Sequence, residues 1–346
     1  MNRQPSTVIR QLNLMEVCGT HTMAIARHGL RKLFPPQVNL ISGPGCPVCV
    51  TPAEDIDHAI ELAKIPGVII TTFGDMVNVP GSYSSLMKEK GKGADVRIVY
   101  SPADALDIAI NTPDKKIIFL GVGFETTSPT IAATVLLAKK RKVKNFFILP
   151  MFKTIPNALR AILDIKERRI DGFIMPGHVS VILGSKVYEF IPKKYKIPAV
   201  VTGFEPDEIL EGVKMILKQI VDNNPKVEIQ YKNIVTPEGN KAAQAILKKV
   251  FKEVDSNWRE VGMIPKSGMT FKPAYKAFDA SKIFKVKLPK TKENKGCLCG
   301  KILLGLNTPR ECKLFGKGCT PGHAIGPCMV SSEGSCAAEY KYGQRQ

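Results

Sequence analysis

The 346-residue sequence contains no long apolar run. Its most hydrophobic stretches, such as "IPAVVTGF" at 197–204, are far too short to cross a bilayer. The stretch "MNRQPSTVIRQLNLMEVCG" has no apolar core and no small-residue cleavage site, so no secretory leader and a cytoplasmic location are expected. Acidic side chains are scarce, 31 Asp and Glu against 50 Lys and Arg, and the net charge is +19. That excess is not a nucleic-acid signature. Residues 232–295 hold 15 basic against 6 acidic side chains, scattered as in "SKIFKVKLPKTKENK". No aromatic-interleaved RNA motif, helix-turn-helix or zinc-finger spacing accompanies them. A solvated lysine surface is the expectation, with acidic protein partners as the other reading. Phosphate loops are absent too: "GFETT" at 123–127 fits neither the Walker pattern nor G-x-G-x-x-G.

What the chain has is a recurring unit. Between residues 66 and 205 short β-branched or aromatic runs alternate with loops and helical patterns. The runs are "GVIITTF" (67–73), "VRIVY" (96–100), "KIIFLGV" (116–122), "NFFILPMF" (145–152), "IDGFIMP" (170–176) and "IPAVVTGF" (197–204). They are continuous rather than alternating, as strands covered on both faces are. "TIAATVLLAKKRK" and "IPNALRAILDIKER" between them carry the helical apolar period. Helix starts repeat a chemistry: "TPAED" at 51–55 and "SPADA" at 101–105 place Ser or Thr at the N-cap, Pro at N1 and an acid at N3. A parallel α/β architecture follows. Gly-Phe-Glu occurs in both "GVGFETTSPTIAA" and "VVTGFEPDEILEG". This predicts two similar, Rossmann-like α/β lobes, 36–117 and 118–225. A lysine-rich and then cysteine-rich domain, 226–346, completes the chain, joined by the 1–35 segment.

Ligands of open parallel sheets gather beyond the carboxyl ends of the strands. Asp75, Asn78, Glu125, Thr126, His178 and Glu205 fall at those ends. Glu205 also reads as a helix cap, and His178 as an ordinary loop histidine.

There are nine cysteines, and a reducing compartment favours metal ligation or redox work over a disulfide framework. In "GPGCPVC", residues 43–49, Cys46 and Cys49 stand in a loop restricted by Gly and Pro, just before the helix start at Thr51. A helix N-terminus favours the thiolate, which suits thiol–disulfide exchange. Inert thiols or half of a metal site fit the same spacing. In "EVCGTHTMAI", Cys18 and His21 make either ligation for a soft-to-borderline metal or a Cys/His nucleophile pair. The tail carries Cys297, Cys299, Cys312, Cys319, Cys328 and Cys336, with one close pair instead of the two that zinc ribbons use. Widely spaced thiolates threaded with Gly and Pro suit an iron–sulfur cluster, and zinc or surplus thiols are the alternatives.

"CGTHT", "GPGCPVC", "GFETT", "PGHVS" and "CTPGHAIGPCMVSSEGSCAAEY", in that order from residue 16 to about 342, together resemble the HypD family of [NiFe]-hydrogenase maturation proteins. The resemblance implies an assembly scaffold with redox activity rather than a conventional enzyme. Its tail pattern C-x14-C-x6-C-x16-C puts a [4Fe-4S] cluster on Cys297, Cys312, Cys319 and Cys336 and leaves Cys299 and Cys328 outside. Cys18 would ligate the iron that receives cyanide and carbon monoxide. Cys46 and Cys49 would be the dithiol exchanging electrons with the cluster. His21, His178 and Glu125 complete the candidate catalytic set. Implied partners are the small chaperone HypC, the cyanide donor HypE and, indirectly, the hydrogenase large subunit, which takes the finished Fe(CN)2CO unit. "CTPGHA" departs from the family, which more often has Glu-Asn after the Pro, so His323 is given no role. The rival reading is an iron–sulfur-dependent protein disulfide oxidoreductase.

Overall fold

A computed structural model describes residues 10–343. Residues 344–346 and residues 1–9, the front of the stretch read for a leader, lie outside the described residues. In chain order the first strands are β1 (Leu12–Glu16), β2 (Val38–Ser42), β3 (Val68–Thr72) and β4 (Asp95–Ile98). Next come β5 (Lys116–Gly123), β6 (Phe146–Phe152), β7 (Gly172–Pro176) and β8 (Ala199–Thr202). The last are β9 (Val227–Ile229), β10 (Phe251–Trp258) and β11 (Gly262–Phe271). They build two parallel sheets, β2-β1-β7-β8-β9 and β4-β3-β5-β6, and one antiparallel hairpin, β10–β11.

Most of the continuous apolar runs became strands for the expected reason: every residue of β3 and β7 is buried, as in strands covered on both faces. The run "VRIVY" is the exception: β4 is an edge strand in which only Val96 is buried. One face of the five-stranded sheet packs Leu14, Ile174 and Val200 against Ile25 of the helix Gly19–Arg27 and Val213 and Ile216 of the helix Pro206–Val221. Its other face shares a core with Leu159, Trp258 and several tail cysteines.

The division of the chain between the sheets differs from the expected one. The cut placed at 117/118 falls inside β5. β1 and β2 pair with each other and, through β1, with β7 far along the chain, in registers such as Leu14↔Leu40 and Met15↔Phe173. The four-stranded sheet, 68–152, is therefore inserted between the second and third strands of the five-stranded one. Local periodicity reports that strands exist, not which distant strands they join. The two Gly-Phe-Glu segments do lie at matching places, the exits of β5 and β8, one in each sheet.

The helix starts also divide. At Ser101 the capping box forms: Asp104 N–H donates to Ser101 Oγ at 3.1 Å, and Ser101 N–H to Asp104 Oδ2 at 2.9 Å. At Thr51 it does not. Thr51 ends the short helix Pro47–Val50 and its hydroxyl donates back to Pro47 O at 2.8 Å, so Pro52 takes the N-cap of the helix Ala53–Ala63. Among the described residues no helix is long and apolar enough to cross a membrane.

Candidate redox and metal site

Because β2, β1, β7 and β8 are parallel neighbours, the segments leaving them reach one end of the sheet together. These are residues 43–49, 17–22, 177–179 and 203–205, four of the segments singled out in the sequence. At the end of β1 lies Glu16, a buried carboxyl that sequence reasoning passed over. It accepts the Cys18 N–H at 3.1 Å and the Thr22 hydroxyl, and burial pushes its pKa up to about 8. Cys18 is the N-cap residue of the helix Gly19–Arg27. Gly19 N–H donates to Gly45 O at 3.0 Å, so the Cys18 turn and the dithiol loop are in direct backbone contact. Gly45 permits this, since a Cβ there would stand 2.2 Å from Cys18 N. Burial, with help from the Glu333 carboxylate, pushes the Cys18 thiol up to about 12.

His21 is fully buried. Its Nε2 lies 2.8 Å from Gly203 O and 2.9 Å from Thr202 Oγ1, and burial lowers its pKa to about 4. A carbonyl only accepts, so Nε2 carries the proton and Nδ1 is the bare nitrogen, buried and without a protein partner. An imidazole lowered to about 4 is too weak a base to ionise a thiol raised to about 12. Those shifts do not favour deprotonation of Cys18 by His21, and a nearby cation would favour the thiolate. Phe204 lies between two imidazoles, with ring centroids 4.7 Å from His21 and 4.1 Å from His178. His178 itself is exposed at the start of the helix Gly177–Leu183.

Cys46 and Cys49 are joined as a disulfide with Cα atoms 5.3 Å apart. Cys46 is the N-cap residue of the helix Pro47–Val50, its sulfur accepting the Cys49 N–H at 3.1 Å. Both residues are buried, at 3% and 0% exposure. The tail closes over them: Ser331 Oγ lies 3.4 Å from Cys46 Sγ and 3.1 Å from Asp75 Oδ2 at the exit of β3. One of the strand-end residues is thus brought to the dithiol by a serine that no sequence pattern marked.

Glu125 sits elsewhere. Its two carboxyl oxygens receive the Ile155 N–H at 3.1 and 3.3 Å, at the start of the helix Ile155–Leu163, and burial raises its pKa to about 8. Tyr188 is fully buried beside Ser180, its ionisation opposed mainly by burial and also by Glu125 and Cys18. Glu205 is exposed at the N-cap of Pro206–Val221, where Glu208 accepts the Phe204 and Glu205 N–H groups at 2.8 and 3.0 Å.

All six tail cysteines line one pocket, walled by Leu298, Ile302, Leu314, Phe315 and Met329. A set of thiols with no carboxylate or imidazole among them, in an apolar wall, is soft-metal chemistry and fits an iron–sulfur cluster. The walls close on about 10 Å³ of free space. No group of three or more described His, Cys, Asp or Glu side chains is arranged to hold a metal ion as it stands. Cys299, outside the expected ligand set, is within hydrogen-bonding reach of both Cys297 and Cys328. His323 is exposed, its backbone closing a turn with Thr320.

The HypD model, described as hydrogenase formation hypA family, matches residues 2–343. The chain is 46% identical over 341 residues to the hydrogenase maturation factor HypD of Escherichia coli K12, spanning 98% of this chain and 91% of that protein. It is 44% identical over 343 residues to the hydrogenase maturation factor HypD of Rhodobacter capsulatus, spanning 98% and 91%. A third relative, the hydrogenase expression/formation protein HupD of Azotobacter chroococcum, is 44% identical over 344 residues, spanning 97% and 91%.

Proposed function

The chain belongs to the HypD family of hydrogenase maturation factors, and from that premise we propose that it is the scaffold on which the Fe(CN)2CO unit of a [NiFe]-hydrogenase is assembled, with a HypC-type chaperone as co-scaffold and a HypE-type protein as cyanide donor. The iron is cargo. Cys18 holds it as thiolate, the form that a cation stabilises against the burial opposing ionisation. His21, one helical turn after Cys18, is held through Nε2 and keeps a buried Nδ1 without a protein partner. Cys46 and Cys49 store two electrons as a dithiol and release them on forming the disulfide. Cys297, Cys312, Cys319 and Cys336 would hold a [4Fe-4S] cluster, which supplies one-electron exchange when bound.

The observation that carries this reading is the Gly19 N–H to Gly45 O bond, which joins the proposed iron ligand to the dithiol loop. A protein disulfide oxidoreductase needs a sulfur open to a substrate chain, and the burial of both Cys46 and Cys49 argues against that activity. The test is infrared absorption of the complex with its HypC-type partner, in the C≡N and C≡O stretching region. Cys18→Ala is expected to keep its tail iron and lose the diatomic bands. Bands of wild-type intensity in that variant would remove Cys18 as an essential ligand.

A further inference from the structure

Ser331 is a hydroxyl with 1% of its surface exposed, and neither the candidate iron site nor the candidate cluster site makes use of it. Its Oγ faces three groups. Glu333 N–H donates to it at 3.2 Å, Asp75 Oδ2 accepts its proton at 3.1 Å, and Cys46 Sγ stands 3.4 Å away. Asp75 also accepts the N–H and the hydroxyl of Ser332 at 3.0 and 3.2 Å, which fixes its carboxylate under the serine. Asp75 is only partly buried, while Cys46 is buried at 3% exposure. The hydroxyl and the carboxylate therefore make a two-step connection from a buried sulfur to water. A disulfide sulfur carries no proton, whereas the same sulfur as a thiol does. Each turn of the pair must move that proton through a buried wall.

We propose that Ser331 is the proton carrier of Cys46, taking its proton when the thiol ionises and returning it when the disulfide is reduced, with Asp75 as the relay to solvent. This inference rests on the dithiol reading given above. With a small disulfide as oxidant the balance is as follows. The Cys46 proton passes to Ser331 Oγ as the Ser331 proton passes to Asp75, and Asp75 releases it to water. The Cys46 thiolate attacks the oxidant, forming a mixed disulfide and expelling one oxidant thiolate. Cys49, giving up its proton, attacks Cys46 Sγ and expels the second. The pair has lost two electrons and two protons, and the oxidant has become two thiols. Reduction retraces the same steps.

A relay changes rates and leaves the equilibrium alone, whereas a packing role shifts the equilibrium. The intact protein is placed in mixtures of 2-mercaptoethanol and hydroxyethyl disulfide, and the state of Cys46–Cys49 is read by alkylation and mass spectrometry. Ser331→Ala is expected to slow oxidation and reduction alike, by about tenfold or more, at an unchanged equilibrium fraction of disulfide. Ser331→Thr keeps the hydroxyl and restores the rate, and Asp75→Asn slows both directions like the alanine variant. Wild-type rates in Ser331→Ala, or a shifted equilibrium with unchanged rates, overturn the relay while the dithiol reading stands. A wild-type pair that never changes state overturns both. If Ser331→Ala does not fold, Asp75→Asn decides the question, and wild-type rates in it reject the relay.

Discussion

Gly45 touches Cys18 so closely that a methyl group on the glycine would stand 2.2 Å from the Cys18 amide nitrogen and 2.5 Å from its Cα. The obstacle is backbone, which cannot swing aside as a side chain would. Gly45→Ala is expected to lose about 3 kcal/mol or more of stability, or to push the dithiol loop off the Cys18 turn. Gly91, at the end of the helix Leu86–Gly91, has nothing within 4 Å of the same position. Gly91→Ala should gain about 0.5–1 kcal/mol. Thermal unfolding of the two variants beside wild type measures both, and equal midpoints would refute the contact.

Glu125 gives stability a pH dependence of definite sign. Its pKa is about 8 in the folded chain against an ordinary value of 4.5. Between those values the unfolded chain releases the proton while the folded chain keeps it. The contribution is complete below 4.5 and is lost as pH rises toward 8. Glu125→Gln keeps an oxygen for the Ile155 N–H and cannot ionise. Urea midpoints of this variant should fall less steeply from pH 5 to pH 8 than those of wild type, the remaining slope including Glu16, which has the same sign. Parallel curves would place the Glu125 carboxyl outside the folding equilibrium.

The tail pocket presents six thiols to a cluster that needs four. With Cys297, Cys312, Cys319 and Cys336 as ligands, anaerobically purified wild type and Cys299→Ala should both carry about four irons per chain. Cys312→Ala should lose most of its iron and its visible absorption. Retention in Cys312→Ala with loss in Cys299→Ala would put Cys299 in the ligand set, and zinc in place of iron would end the cluster reading.

The strands most plainly written in the sequence are those buried on both faces, because a continuous run such as "VIITT" in β3 has no other stable environment. β1, "LNLME", was not legible as a central strand. It mixes apolar and polar residues and ends in a glutamate, which is tolerated because burial raises the pKa of Glu16 and because the Cys18 N–H and the Thr22 hydroxyl bind it. The Ser101 cap was legible since all its parts are local. The same pattern at Thr51 failed because Pro47 O, four residues earlier, captured the hydroxyl. For the site, the motifs marked which loops matter and the parallel strands of one sheet brought four of them together. Ser331 carried no such mark. Its place comes from what the fold sets beside it across a long stretch of chain, the Cys46 sulfur.

The hydrogen bond from Thr20 Oγ1 to Glu333 Oε1 joins residues 313 positions apart. A ribosome therefore makes the Cys18 turn long before it makes the segment that covers it. Until Ser331–Glu333 emerge, Gly19 lacks the glutamate that packs on it and Cys46 lacks its serine. A nascent or prematurely stopped chain would leave these thiols open to stray metal ions and oxidants. Covering the Cys46 sulfur and the Gly19 turn thus waits on residues 331–333.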